Sequence, residues 1–317
     1  MPAQPLYPSA PAIGRIALGS STFGREIQSD DAFLLMDRAL ARGVSHFDTA
    51  ATYTAGVSET IMGQWLASRR PSPESLMVAT KIYPPYTPDA IDTATAASAR
   101  RLGVDVIDLL YLHKWDAAVE TPETLAALDG LVRSGRVRAL GASNFNAQQL
   151  GAALTAQAAH GWARFRVLQN NNNLAVRDVD PALVTLAGDH ALAIVTYSPI
   201  AAGFLTGKHQ KGAPTADTRF TIGGGTAERY QERYWQDQMF ATLDALRGIA
   251  AEADMTVAQL AIAWQFTRPT ITSPIIGASK PEQLVDAVNA VRTPLSAELT
   301  KRLDVLTHEY RFGDSAR

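Results

Sequence analysis

The chain contains no cysteine among its 317 residues. This absence excludes disulfides, iron–sulfur clusters, thiolate zinc sites and cysteine nucleophiles together. Any redox chemistry would therefore need a bound cofactor. An excess of charge of one sign is also lacking, since 29 Lys and Arg stand against 31 Asp and Glu, for a formal net charge of -2. We expect neither nucleic acid nor a membrane as a partner, because no overall field would attract them.

Long hydrophobic runs are absent too. Apolar stretches such as IDLLYL fall far short of the ~18 residues that a membrane span needs. The N-terminal MPAQPLYPSAPAIG has neither the basic nor the apolar region of a signal peptide, so we expect a cytoplasmic location. Hydrophobic residues nevertheless make up 46% of the chain, with a mean hydropathy of -0.05, which is enough for a large core.

Several sequence motifs of common enzyme classes are missing. The segment IALGSSTFGRE offers Gly19 and Gly24 at the wrong spacing for G-x-G-x-x-G, so a Rossmann site is not supported. The chain has no P-loop, no H-E-x-x-H and no G-x-S-x-G, and its six histidines are scattered. We therefore predict no metal site, P-loop or α/β-hydrolase triad.

Short β-rich segments alternate with longer helix-periodic segments along the whole chain, which predicts an α/β fold with a parallel sheet. Eight strands are predicted: IALGS, VSHFDTA, and residues 76–81, 106–113, 137–143, 165–170, 191–198 and 271–277. A doubly wound fold usually has fewer strands and a second domain, and the length alone allows two domains. The count favours one (β/α)8 TIM barrel, with residues 1–317 as a single domain that includes C-terminal helices.

The spacing of the strands also predicts an insertion. Polar residues at successive predicted strand ends lie about 30 residues apart, but 80 residues separate Tyr197 from Gly277. About 50 of these exceed one βα unit, so a long insertion is predicted between the seventh strand and the seventh helix. We interpret its Gly- and Thr-rich part, residues 200–235, as a loop that covers a cofactor or substrate.

Four reactive side chains lie at or near successive strand ends. Asp48, Lys81 and His113 each end an apolar strand, and Tyr53 lies five residues after Asp48. The carboxyl ends of all strands in a barrel open onto one face, where active sites lie. Their joint occurrence indicates a catalytic site rather than four independent structural residues.

The same residues carry a family resemblance. The segments DTAATYTAGVSE, VATK, YLHKWD, GASNF, VTYSPIAAGFLTGK and PIIGASKPEQL follow one another as they do in aldo-keto reductases. The chain most resembles the subgroup of bacterial oxidoreductases and potassium-channel β subunits. This resemblance implies a (β/α)8 barrel, a nicotinamide cofactor bound without a Rossmann domain, and a tetrad of Asp48, Tyr53, Lys81 and His113.

The tetrad has a chemical rationale in carbonyl reduction. Negative charge develops on the carbonyl oxygen during hydride transfer, so the site needs a proton donor and dipolar stabilisation. Tyr53 is the expected donor, and we expect the Lys81 cation to lower the pKa of its phenol. Asp48 would neutralise Lys81, and His113 would donate an N–H to the substrate oxygen.

The resemblance also implies three groups of cofactor contacts and favours NADPH, with NADH possible. The residues that correspond to contacts near the nicotinamide are Ser143, Asn144, Gln169 and Tyr197. Those near the pyrophosphate are Ser198, Leu205 and Lys208. Those at the adenosine end are Gly277, Ser279, Lys280 and Gln283. At the adenosine end many relatives carry an arginine, where this chain offers Lys280 and Gln283.

The substrate is not named by the sequence beyond a small molecule with a carbonyl group. Residues past the predicted strands that could line its pocket are Phe23, Tyr83, Tyr86, Trp115, Asp116 and Asn172. Two departures from the family stand out: Asn172 replaces a usual tyrosine, and Thr54 replaces a usual glycine, which is expected to alter the local dihedral angles.

Three functions stay open on these residues. The first is an NADPH-dependent reductase of an aldehyde or ketone, including a sugar-like carbonyl. The second is an NAD-dependent sugar or alcohol dehydrogenase, which differs chiefly at the 2′-phosphate site. The third is a cofactor-loaded binding protein like the channel β subunits. The sequence shows no N-terminal inactivation-like extension that would support this third function. The oligomeric state is not predicted.

Overall fold

Eight parallel strands close into a barrel in this computed structural model, which describes residues 5–8, 10–222 and 224–312. The strands are β1 (Ala17–Gly19), β2 (His46–Asp48), β3 (Met77–Ile82), β4 (Ile107–Leu112), β5 (Val137–Ser143), β6 (Phe165–Asn173), the two-residue β7 (Val176–Arg177), β8 (Ala193–Tyr197) and β9 (Ile271–Gly277). Strand β7 pairs antiparallel with the end of β6 and stands outside the ring. The other eight pair in parallel, and β9 returns to β1. The predicted (β/α)8 TIM barrel is confirmed.

Helices surround the barrel. They are α1 (Ser29–Leu40), α2 (Val57–Arg69), α3 (Pro88–Leu102), α4 (Pro122–Arg133), α5 (Ala147–His160), α6 (Pro181–Asp189), α7 (Gly225–Tyr234), α8 (Asp237–Glu252), α9 (Val257–Gln265), α10 (Pro281–Arg292) and α11 (Ala297–Leu306). Short 3₁₀ helices occur at Tyr53–Gly56, Ala117–Glu120, Ala201–Thr206 and His308–Phe312. In the part of the chain described, none of the helices combines the length and apolar character needed to cross a membrane.

Local sequence signals explain where the helices begin and end. Helix α5 begins at a capping box, in which Asn146 accepts the N–H of Gln149 and the Gln149 side chain accepts the N–H of Asn146. It ends at Gly161, whose φ of 66° is the left-handed conformation that glycine adopts without strain. Helix α3 begins similarly, with Thr87 as its cap and Pro88 in its first turn.

The core has an inner and an outer part. The outer part lies between strands and helices and contains residues such as Phe47, whose ring contacts Trp65 of α2 at a centroid distance of 5.4 Å. The inner part fills the barrel and includes Met77, Leu109, Tyr111 and Val167, among others. The barrel is therefore packed along its axis and is not a pore.

The amino end of the barrel is closed by the N-terminal segment. Leu6 and Ile13 are buried in the inner cluster, and the Tyr7 hydroxyl donates to Asp108, near the start of β4, over 2.9 Å. Only the opposite end, where the strands terminate at their carboxyl ends, remains for a site built from the long connections.

The connection after β8 is long, as predicted, and has a core of its own. The ring of Phe204 lies 5.2–6.3 Å, between centroids, from five other rings, namely those of His209, Phe220, Tyr234, Trp235 and Phe240. Arg247 of α8 fastens the segment by donating to the Gly207 carbonyl at 2.7 and 3.0 Å. These contacts give residues 200–222 and 224–235 a defined place beside the carboxyl end of the barrel, while the covering role predicted for residues 200–235 stays a prediction.

Candidate active site

Three neighbouring strands bring the first members of the predicted tetrad together. Asp48 is the last residue of β2, Lys81 is the next to last of β3, and His113 directly follows β4. Parallel pairing in register places Asp48 beside Ala79 and Lys81 beside Tyr111. The three side chains thus share the carboxyl end of the barrel, as the sequence predicted.

A buried ion pair lies at the centre of the site. Lys81 is completely buried and its ammonium contacts the Asp48 carboxylate, which is 2% exposed. The same ammonium donates to the Thr49 carbonyl at 2.9 Å and to the Tyr53 hydroxyl at 3.3 Å. Lys81 therefore links the carboxylate to the phenol through one side chain.

A left-handed turn delivers Tyr53 to this pair. Tyr53 begins the 3₁₀ helix Tyr53–Gly56, in which Thr54, Ala55 and Gly56 have φ values of 49°, 52° and 90°. Left-handed φ is strained for a β-branched residue such as Thr54. Its hydroxyl compensates by donating to the Phe23 carbonyl over 3.0 Å. The threonine at the usual glycine position thus keeps a left-handed conformation.

Burial governs the acidity of Tyr53. Burial raises the pKa of Tyr53 above its usual value of 10.0, and the Lys81 cation offsets only part of this rise. Lys81 lowers the pKa of Tyr53, as predicted, but burial outweighs this effect, so the expected net fall of the pKa toward the working pH is wrong. For Lys81, burial lowers the pKa, yet Asp48 and Tyr53 raise it by more, so the lysine stays charged. At neutral pH Tyr53 is a protonated phenol beside a cation.

His113 is a neutral imidazole. Burial, together with the nearby Lys81 cation, lowers the pKa of His113 to about 3. Its ring lies edge-on to those of Tyr53 and Tyr83, with centroid distances of 5.9 and 5.8 Å. Its Nδ1 lies 3.3 Å from the Thr52 hydroxyl. A neutral ring keeps one N–H to donate, which is the form that orienting a carbonyl requires.

The residues predicted to contact the nicotinamide surround the same opening. Asn144 has a left-handed φ of 60°, and its amide donates to the His113 carbonyl at 2.8 Å. Its side-chain oxygen accepts the Tyr197 hydroxyl at 2.7 Å. Ser143 is buried at the end of β5, and Gln169 donates to Asp48. The structure therefore brings all four residues beside the tetrad, while their contact with a cofactor stays a prediction.

The residues predicted to bind the rest of the cofactor lie at the ends of β8 and β9. Ser198 follows β8 with a left-handed φ of 54°, and Lys208 is exposed, whereas the side chain of Leu205 is buried in the insertion core. Gly277 ends β9 and Lys280 stands exposed just before α10. Gln283 caps this helix by accepting the N–H of Ser279 at 2.8 Å, so its side-chain oxygen already has a local partner.

Arg219 is a residue that the sequence reasoning missed. Its guanidinium donates to the Ser21 hydroxyl at 3.0 Å and lies 3.5 Å from the Glu26 carboxylate. A Cβ added at Gly277 would lie 3.3 Å from the same guanidinium. Arg219 thus reaches from the insertion to the ends of β1 and β9. No fixed spacing connects it with those strands, so no sequence signal identified it.

The six predicted substrate residues divide into two groups. Tyr83 is 47% exposed and lies against His113, and Trp115 and Asp116 follow in the next loop, where Asp116 caps the 3₁₀ helix Ala117–Glu120. By contrast, Phe23 and Tyr86 are completely buried, and the Tyr86 hydroxyl donates to the Lys114 carbonyl at 2.9 Å.

Asn172 belongs to the second group as well. It is buried and donates to the Gln265 side chain over 3.2 Å, while Gln265 donates back to its carbonyl over 2.7 Å. Phe23, Tyr86 and Asn172 therefore do not fit the prediction of substrate contact, because they present almost no surface to the opening. Within the described ranges, no three His, Asp or Glu side chains are grouped so as to hold a metal ion.

Comparison with known proteins agrees with this geometry. The sequence profile of the Aldo/keto reductase family matches residues 15–307. The chain is 31% identical to the uncharacterized oxidoreductase YrpG of Bacillus subtilis over 92% of this chain and 91% of that protein. It is 32% identical to a probable voltage-gated potassium channel subunit beta of Arabidopsis thaliana, over 85% and 84% of the two chains. Protein tas of Escherichia coli is 28% identical, over 95% and 96%. With this fold, this grouping of Asp48, Tyr53, Lys81 and His113, and this match over most of its length, the chain belongs to the aldo/keto reductase family.

Proposed function

We propose that the protein reduces an aldehyde or ketone to the alcohol with NADPH, and that Tyr53 donates the proton. The observation that carries this proposal is the bond of 3.3 Å between the Lys81 ammonium and the Tyr53 hydroxyl at the barrel opening. Family membership and relatives named as oxidoreductases and putative aryl-alcohol dehydrogenases support carbonyl reduction in general.

The residues at the opening suit a nicotinamide nucleotide. Asn144 and Gln169 offer amide groups beside the tetrad, and the absence of a side chain at Gly277 allows close approach to the backbone. Arg219 and Lys280 supply positive charge near the start of α10, where a helix N-terminus also favours phosphate. When bound, such a nucleotide supplies the hydride.

Each tetrad residue then has one task. His113, kept neutral by burial, donates an N–H that orients the carbonyl oxygen. Tyr53 holds a proton at its hydroxyl and releases it to the oxygen as negative charge develops there. Lys81 stabilises the phenolate that remains, and Asp48 keeps Lys81 charged and in place.

The test substitution removes the hydroxyl of Tyr53, which carries the proposed proton, and keeps the aromatic ring. We expect Tyr53→Phe to lower kcat by about 10²–10⁴-fold, the usual contribution of a general acid, with little change in the Kd of NADPH. Tyr7→Phe is the matched control, because the Tyr7 hydroxyl bonds to Asp108 at the other end of the barrel. If Tyr53→Phe kept more than half of the kcat measured for the unmodified enzyme, Tyr53 would not be the donor.

Two further functions have support in the names of relatives, which include probable channel subunits beta and putative aryl-alcohol dehydrogenases. The relatives named as probable channel subunits beta favour a cofactor-loaded binding protein, which would bind NADPH tightly but turn over carbonyls slowly. An NAD-dependent sugar or alcohol dehydrogenase would use the same tetrad and prefer NADH. Comparing Kd values for NADPH and NADH, with a turnover screen over aldehydes, ketones and aldoses, separates all three functions.

A further inference from the structure

One hydrogen bond of the site crosses the barrel. Gln169 Nε2 donates to Asp48 Oδ2 over 2.9 Å, although the two residues are 121 positions apart in the chain. In the closed ring, β2 and β6 are separated by three strands on either side, so they stand opposite each other. Both side chains are almost completely buried, with exposed fractions of 1% and 2%. The bond therefore ties the tetrad to the far wall of the barrel.

This bond gives the two oxygens of Asp48 different partners. Oδ1 faces the Lys81 ammonium and Oδ2 faces the Gln169 amide. An ionised carboxylate only accepts hydrogen bonds, so the amide must present its NH₂ group to Asp48 and its oxygen elsewhere.

We propose that Gln169 is a positioning residue of the tetrad, which binds Oδ2 of Asp48, offsets part of its negative charge and thereby sets how readily Tyr53 releases its proton. The effect on the reaction rests on the function proposed above, whereas the effect on Tyr53 itself does not. Gln169 acts through Asp48 and Lys81, with no need to touch the substrate.

The charge on the carboxylate explains why this amide matters more than other buried amides. Gln157 is equally buried, but its oxygen accepts a main-chain N–H from Phe165. A hydrogen bond to an ionised group is about twice as strong as a neutral one. Gln169 therefore partly neutralises Asp48, whereas Gln157 holds a neutral main chain.

The groups that respond to Asp48 come from three strands and one turn. They are Lys81 of β3, Tyr111 of β4, His46 of β2 itself, and Tyr53. The carboxylate raises the pKa of every one of these groups. With the Gln169 N–H removed, more of the negative charge of Asp48 acts on them, so the Tyr53 phenol should hold its proton more tightly.

The experiment measures the ionisation of Tyr53 directly. Gln169→Leu removes the N–H at similar volume, and Gln169→Glu replaces the donor by a second carboxylate. Gln157→Leu is the matched control, since it makes the same substitution at an equally buried glutamine. Tyr53 is titrated by tyrosinate absorbance, as the difference between each protein and the same protein with Tyr53→Phe, without added nucleotide.

We expect the pKa of Tyr53 to rise by about half a unit or more in Gln169→Leu, further in Gln169→Glu, and not at all in Gln157→Leu. In the plot of kcat against pH for carbonyl reduction, the alkaline limb should shift to higher pH by the same amount. An unchanged Tyr53 titration in both folded Gln169 variants would overturn the proposal.

The two proposals fail separately. If the unmodified protein turned over no carbonyl, the proposed function would be lost, but the absorbance titration would still decide the role of Gln169. If turnover were present and Tyr53 titrated identically in all the proteins, Gln169 would have no positioning role and the reductase proposal would stand.

Discussion

The Asp48–Lys81 pair allows a quantitative prediction about the energetic cost of the site. Replacing Lys81 by Met leaves the buried Asp48 carboxylate charged, with Gln169 as its remaining side-chain partner. Breaking a buried ion pair on one side costs about 3–5 kcal/mol, because the remaining charge is uncompensated. The double variant Asp48→Asn with Lys81→Met carries no charge and keeps an oxygen for Gln169. It should lose only the bonds of Lys81 to Thr49 and Tyr53, at about 0.5–1.5 kcal/mol each.

The assay is urea unfolding of the unmodified protein, both variants and a control. Lys211→Met is the control, because its ion pair with Asp237 is exposed and its loss should leave the free energy of unfolding nearly unchanged. We expect the double variant to be more stable than the single variant by roughly 1–3 kcal/mol. The reasoning is refuted if Lys81→Met unfolds at the same urea concentration as the unmodified protein, or if the double variant is the less stable of the two.

Three further predictions follow from packing, burial and charge. Gly141→Ala should cost about 1–3 kcal/mol of unfolding free energy, because its Cβ would overlap the Tyr111 ring, whereas the open position Gly130→Ala should cost nothing. The pKa of His209 is lowered to about 4, mainly by burial, so protonation of this histidine opposes folding as the pH falls. Relative to the unmodified protein, the free energy of unfolding of His209→Phe should therefore increase by about 1 kcal/mol between pH ~7.5 and ~5. Equal thermal shifts at both pH values would contradict this. Lys280→Ala should weaken NADPH binding by roughly ten- to a hundredfold and leave the Kd of NADH unchanged, as measured by titration with each nucleotide. Equal losses of affinity for both nucleotides would indicate a disturbed loop.

Periodicity and spacing could predict the barrel, because parallel strands buried on both sides are nearly continuous apolar runs. All eight barrel strands were predicted, and the predicted strands differ from the observed ones mainly in the residues at which they begin and end. The predicted segments 106–113 and 191–198 are longer than β4 and β8, which stop at Leu112 and Tyr197. The chain turns away there to place His113 and Ser198 at the opening. Propensity does not report this turn.

Contacts between distant segments could not be predicted in the same way. The Gln169–Asp48 bond and the reach of Arg219 to Ser21 depend on which strands stand opposite or adjacent after closure. A position just past a strand also does not decide whether a side chain faces the opening. Tyr83 and Tyr86 both follow β3, yet one is exposed beside His113 and the other is completely buried.

The backbone gives evidence for the site that is independent of the side-chain chemistry. Thr54, Asn144 and Ser198 are not glycines, yet all three adopt left-handed φ, and each directly follows a residue assigned to the tetrad or the cofactor. Such conformations cost about 1–3 kcal/mol and persist where surrounding contacts fix them. Here each is fixed by a hydrogen bond, through Thr54 Oγ1 to the Phe23 carbonyl, the Asn144 N–H to Asn170 Oδ1, and Asn173 Nδ2 to the Ser198 carbonyl.

These three positions lie on three different connections of the barrel, so the conformation of one loop does not explain all of them. The amino end is closed by Leu6 and Ile13 and by the hydrogen bond from Tyr7 to Asp108. Left-handed residues also occur before strands, at Arg70 and Ala191, so strain alone does not mark the site. Thr54, Asn144 and Ser198 differ because each lies next to a predicted site residue and is tied by a specific hydrogen bond. The carboxyl end also holds the buried Asp48–Lys81 pair, which destabilises as readily as it stabilises. Both costs are understandable if the carboxyl end of the barrel is where the protein does its chemistry.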